Sequence, residues 1–191
     1  MRMNDVSQVL RFAFLSLLIG TGTAMTISPM RGDEASDRQG KLDGGYFLLH
    51  QVSEDETQVP LLLAVKHAPS EATAYADRIS KTAKETVSAL DRMQEHDPVI
   101  QFDRNPLPRI ERDARASIKD DKQHQLLFGT TDSEFVRALL VSQIEACTYA
   151  LHLSKVLAEQ ETDPGRAKTL RHISAKWLGL RNEAFRILRN Y

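Results

Sequence analysis

The sequence predicts an all-α fold, a four-helix up-down bundle with one additional short or kinked helix. Three observations predict it. Apolar residues recur at alternating spacings of three and four along several long stretches, the period of one helix face. Proline and glycine, which punctuate regular structure, cluster between those stretches. Nothing reads as a strand, and neither a Gly-rich phosphate loop nor a repeat of roughly 20–50 residues occurs. At 191 residues and 41% hydrophobic, the chain can hold one domain with a substantial core. A formal net charge of −1 leaves no general electrostatic footprint for nucleic acid.

Residues 1–24 read as a signal peptide. Arg2 and Arg11 flank the apolar run Phe12–Ile19, and Gly22-Thr23-Ala24 offers a small-x-small cleavage site. The run is short for a membrane span. Extended through Ile27 it gives a weak N-terminal anchor, weakened further by Thr21, Gly22 and Thr23. Membrane attachment would then come only through this segment, if it stays uncleaved. No cysteine follows the run, which excludes a lipoprotein anchor. Residues 25–41 are polar and Gly-containing and read as a flexible tether. Residues 42–191 form the helical bundle domain.

The first helical stretch runs from Leu42 to His67, with Phe47, Leu48, Val52, Val59 and Leu62 available to one side. Pro60 imposes a kink or a break there, because its ring displaces the preceding turn; Asp55, Glu56 and Thr57 offer caps for a fresh start. Ser70 is placed as the N-cap of a second helix, Glu71–Glu95. Its seam is Ala72, Ala76, Ile79, Ala83, Val87, Leu90 and Met93. The three prolines of residues 96–108 mark a crossover or extended loop, which Val99, Ile100 and Phe102 would pin to the bundle. A more polar helix follows over Arg109–Phe128, its sparse apolar side formed by Ile110, Ala114, Ile118, Leu126 and Leu127.

The longest helical pattern spans Thr131–Leu157. Phe135, Leu139, Leu140, Ile144, Cys147, Leu151 and then Val156 or Leu157 form its stripe. Thr131 with Glu134 reads as a capping box, and Gly129 suits the end of the preceding helix. After the turn at residues 161–165, Asp163 as N-cap and Pro164 in the first helical position start the last helix. Its inward face is Ala167, Leu170, Ile173, Trp177, Leu180, Ala184 and Ile187 or Leu188. Short connections make neighbouring helices antiparallel.

Two segments carry a family resemblance. In the first half these are Glu56, Leu61-Leu-Leu-Ala64, Lys66-His-Ala68, Tyr75-Ala76 and Arg78-Ile79. In the second they are Leu127-Phe-Gly129, Glu134-Phe135, Leu139 and Gln143-Ile144, closed by Leu178 to Leu188. Over roughly residues 45–190 the chain resembles the exported, ferritin-like bacterial family catalogued as a domain of unknown function, whose members are often labelled outer membrane proteins. The resemblance implies a ferritin-like bundle in the periplasm or cell envelope. Positions where that family has histidines fall on Ala83, Cys147 and Glu183 here.

A ferritin-like di-iron site takes two Glu-x-x-His pairs and two further glutamates projecting inward. This chain has no Glu-x-x-His. Its single cysteine, Cys147, lies on an apolar stripe, which favours burial as a small hydrophobe. Glu145, Tyr149 and His152 share one helix face at i, i+4 and i+7. The candidates for a degenerate metal site are therefore Glu56, Glu145, Cys147, His152 and Glu183. No catalytic set and no nucleophile elbow occurs. The basic run of the last helix, Arg166 to Arg189, reads as a solvated helix or as a face meeting an anionic cell-surface component. These residues point first to a non-enzymatic envelope module that binds another envelope protein or itself, without cofactor. The alternative is a degenerate ferritin-like metal-binding or redox protein with a metal ion.

Overall fold

The computed structural model describes residues 31–63, 66, 68–97, 100–102, 105–128 and 132–191. The signal-peptide assignment, Ala64, Val65, Val99, the helix-ending Gly129 and the capping-box Thr131 lie outside the described residues. Among the described residues the chain is all-helical: α1 Arg31–Glu56, α2 Val59–Leu63, α3 Ser70–His96, α4 Arg109–Phe128, α5 Asp132–Gln160 and α6 Pro164–Leu188. No described helix is long and apolar enough to cross a membrane.

Four long helices form a closed ring of neighbours in the order α1, α3, α6, α5, with the α5–α6 contact the most extensive. Side-chain pairs fix the directions. Ser80 donates to the Thr57 carbonyl and His50 meets Asp91, so α3 runs against α1. Tyr46 donates to Glu161, and Arg38 to the Gln160 carbonyl, so α5 also runs against α1. Arg186 reaches Glu71 and Lys176 reaches Glu85, so α6 runs against α3. The order of directions is thus up, down, down, up. This corrects the simple up-down succession: α3 and α5 are parallel, because residues 97–108 and α4 return the chain between them. Ile100 is buried in the core, and Phe102 stacks on His50 with ring centroids 4.9 Å apart.

Pro60 sets the break at its predicted place. A proline ring clashes with the carbonyl four residues earlier, which is that of Glu56, and α1 ends there. Pro60 then sits within the first turn of α2, where its missing N–H costs nothing. The α1 core face is Leu42, Tyr46, Leu49 and Val52, one position offset from the expected Phe47 and Leu48. Helix also occupies residues 31–41, which the sequence reads as tether. All seven inward positions expected for the last helix are buried, and Ile187, not Leu188, closes the stripe. Asp163 caps it, accepting from the Arg166 amide at 2.7 Å.

Other expectations shift by one residue or are resolved between two. Ser70 is the first residue of α3 and makes no cap; Pro69 holds the N-cap position. Thr86, rather than Val87, is fully buried. On α5, Leu157 faces inward and Val156 outward. Ile110 is 85% exposed, because α4 lies on the outside of the α1–α5 pair and buries only Gln123 and Leu126 fully.

At one end, Glu161 gathers the elements. It accepts from Tyr46 at 2.6 Å, from Arg166 at 2.8 Å and from the amides of Thr162 and Asp163 at 2.8 and 3.0 Å. Arg166 also holds Asp97, just past the end of α3. Burial pushes the Glu161 carboxyl up, but the hydrogen bonds from Arg166, Tyr46 and the Asp163 amide outweigh it and bring it down to about 2. That lowered value contributes stability fully present above the ordinary 4.5 and lost as pH falls toward about 2. Glu161→Gln is therefore expected to lower the urea midpoint at neutral pH and to flatten the acid limb of stability. An unchanged acid limb would refute this.

Two glycines of α1 test the packing. A Cβ on Gly45 would stand 2.6 Å from Leu157 Cδ2, whereas one on Gly40 would meet nothing within 4 Å. Gly45→Val is expected to cost about 1–3 kcal/mol by overpacking against α5. Gly40→Ala should instead stabilise by roughly 0.5–1 kcal/mol through lower unfolded-state entropy. Chemical denaturation of both variants checks the opposite signs.

Candidate functional site

The break at Pro60 leaves Glu56 as the last residue of α1, on that helix's core face. Its side chain is fully buried, and neither carboxylate oxygen has a hydrogen bond. Across from it on α5 stands Gln143, also fully buried, whose amide oxygen and nitrogen are likewise without hydrogen bonds. Gln143 is near enough to favour the ionised acid without closing a bond that meets normal geometry. One turn further along α5 lies Cys147. From α3, Tyr75 reaches in, its hydroxyl donating to the Leu180 carbonyl at 3.2 Å and lying 3.9 Å from Cys147 Sγ. All four helices of the ring thus meet at one polar centre in an otherwise apolar core.

Desolvation governs its acidity. Burial raises the Glu56 carboxyl to about 8; Gln143 and Lys119 oppose the rise, and Asp55 adds to it. The C-terminal end of α1 also disfavours negative charge. Glu56 is therefore held mainly as the neutral acid at pH 7. Next to it, Asp55 rises to about 6 by burial, although Lys119 Nζ donates to it at 3.0 Å. Burial also raises the Cys147 thiol, which stays protonated and is a poor nucleophile and a poor ligand.

The five metal candidates do not come together. Glu56 and Cys147 belong to this centre. Glu145 is exposed and accepts from Lys122 of α4 at 2.6 Å. His152 is exposed on α5. Glu183 faces α3, where Arg78 Nε donates to it at 3.2 Å and a second Arg78 nitrogen makes the bond bidentate. The face shared by Glu145 and Tyr149 is where α4 docks: Lys122 meets Glu145, and Arg115 meets Tyr149. Among the described residues no group of three His, Cys, Asp or Glu is placed to hold a metal ion. A buried acid, an amide and a neutral thiol do not make a di-iron donor set. Gln143 and Tyr75 belong to the centre but are not among the candidate site residues that the sequence offers. Gln143 precedes Cys147 by one turn on the same stripe, and that spacing is the signal for it.

A second feature lies on the surface. Between α4 and α5 runs an open groove of about 490 Å³. Leu126, Ala138 and Val141 give it an apolar floor, and Lys122, Glu145 and Arg137 a charged rim. Phe128, at the end of α4, is 76% exposed, and Val141 44%. No protein-family model, curated protein or solved structure matches the chain.

The buried acid makes a pH prediction. The folded chain holds the Glu56 proton more tightly than the unfolded chain does. The resulting stability is complete below the ordinary 4.5 and is lost as pH rises toward about 8; Asp55 acts in the same direction up to about 6. Stability in urea should therefore decline across this window by an amount on the order of a few kcal/mol. Glu56→Gln should flatten most of that decline. A wild-type protein with pH-independent stability between these values would sink the assignment.

Proposed function

We propose that this chain is an exported, ferritin-like helical bundle acting in the periplasm or cell envelope as a non-enzymatic binding or structural module. The ferritin-like reading is supported by the single long crossover between two parallel helices, the connection that sets such bundles apart from simple up-down ones. The observation that carries the binding role is the α4–α5 groove, whose apolar floor includes the exposed Val141, with Phe128 exposed at the end of α4. Contiguous exposed apolar surface rimmed by charge marks interaction sites. Its amphipathic character fits a partner helix laid along it, from another envelope protein or from a second copy.

A photo-crosslinker at position 141, with cells then fractionated, tests this. A discrete adduct in the envelope fraction, lost with Phe128→Asp, is expected. An unspecific smear, or steady turnover of a defined substrate abolished by a point substitution, would overturn it.

The alternative, a degenerate ferritin-like metal or redox centre, is favoured by one observation, the unpartnered Glu56 carboxylate at the meeting point of four helices. Elemental analysis of untagged protein, with Glu56→Gln as control, separates the two readings.

A further inference from the structure

The last helix carries six Lys and Arg against one acid, Glu183, in a chain of net charge −1. Three of the six are neutralised: Arg166 by Asp97 and Glu161, Lys176 by Glu85, and Arg186 by Glu71. Basic residues, paired and unpaired, are also patterned. Lys168, His172 and Lys176 recur at i, i+4 and i+8 on α6, and Lys84, Ser88 and Arg92 do the same on α3, so each triplet forms one stripe.

The register between the two helices sets the stripes against each other. Lys176 Nζ donates to Glu85 Oε2 at 2.6 Å, and Arg78 meets Glu183 in the same antiparallel register. Arg92 therefore stands level with Lys168, Ser88 with His172, and Lys84 with Lys176. Between them lies a groove of about 560 Å³, with buried Thr86 and Ile173 at its floor. Lys168 lies just beyond its α6 rim, next to Thr169. At 1.5 Å per residue the two cationic ends are about 12 Å apart. Among the described residues Glu85 is the only acid lining the groove. The hydrogen bond from Lys176 holds its carboxyl below the ordinary range. Lys84, Arg92 and Lys168 are exposed, and no acid pairs with them among the described residues.

Like charges facing each other across a groove repel, and an anion placed between them reverses that repulsion. A second copy docked here would bring cation against cation, so the pattern disfavours self-association through this face. We propose that the α3–α6 groove binds a ligand carrying several phosphate groups spread along its length, either a soluble oligophosphate or the phosphate headgroups of an anionic lipid surface. Lysine and arginine are the side chains suited to phosphate. A volume of this size takes a multi-phosphate ligand rather than a single small ion. The groove lies across the bundle from α4 and shares no residue with the α4–α5 groove, so either reading can fail without the other.

The purified full chain is titrated with short-chain polyphosphate, with inorganic phosphate as the single-group comparison. It is then sedimented with phosphatidylglycerol vesicles and with neutral phosphatidylcholine vesicles. Polyphosphate binding that weakens with salt, and weakens about tenfold or more in Lys84→Ser/Arg92→Ser, is the expected result. Arg189→Ser, beyond the groove, should leave binding unchanged, and thermal melts of both variants report that the fold persists. Binding to polyphosphate without vesicle binding assigns a soluble ligand. Vesicle binding with the same variant loss assigns a lipid headgroup. Absence of binding to both probes overturns the proposal, as does binding that Arg189→Ser weakens as much as the double substitution does.

Discussion

The Glu161–Arg166 pair is the fixed point from which the bundle is strung. The pair spans the three-residue turn between α5 and α6, with Arg166 in the first turn of α6. From there it reaches α1 through Tyr46 and the end of α3 through Asp97. A carboxylate that accepts four hydrogen bonds, one from a guanidinium, is strongly held in its ionised form. One acid and its arginine thus tie the middle of α1 to the ends of α3 and α5 and the start of α6. The opposite end of the α1–α5 contact holds the opposite case. Glu56 has no hydrogen bond, and desolvation decides its state. Two glutamates along one helix pair are driven in opposite directions, one to about 2 by its hydrogen bonds and one to about 8 by burial. Their windows do not overlap, so each can be read separately in one pH titration of stability.

Between those ends, the direction of each helix follows from connection length. Three residues join α5 to α6, so they must be antiparallel neighbours. The path from α3 to α5 is long enough to include a whole helix, and it brings the chain back to the end from which α3 set out. α4 can return the chain only by lying outside the ring, against α1 and α5. Its composition suits that place: Lys119 and Lys122 make ion pairs with α1 and α5, and few of its apolar side chains are buried. Close approach is helped by glycine where the crossover and α5 press on α1, at Gly44 against Pro106 and Gly45 against Leu157.

What the sequence discloses is what local rules decide. Asp163, Pro164 and the seven-residue stripe of the last helix are legible because cap, first turn and period all agree over 25 residues. The break before Pro60 is legible for the same reason, a clash confined to four residues. The start of α1 is not. Its apolar pattern begins only at Leu42, and Gly40, Gly44 and Gly45 lower its propensity, so tertiary contacts such as Arg38 with the Gln160 carbonyl must support the upstream turns. Ile110 misleads because periodicity gives a face and not what covers it. The burial of Cys147 follows from its stripe, whereas that of Glu56 does not. Glu56 reads as a cap for a fresh helix start or as a candidate metal ligand, and only the phase of α1 against α5 shows it buried.

The same logic separates the two kinds of polar feature in this molecule. A polar group in the core is explained by its neighbours or it demands a reason. Ser53 and Ser154 bond back to carbonyls one turn earlier and need none. Glu56 and Gln143 bond to nothing and face each other, so their cost is carried by the packing of all four helices. On the surface the test is reversed, because an unpaired lysine costs little and means little by itself. What gives Lys84, Arg92 and Lys168 meaning is register. Chance placement of exposed cations would not set an i, i+4, i+8 stripe on one helix level with a second on its antiparallel neighbour, nor would it leave the only acid between them already neutralised.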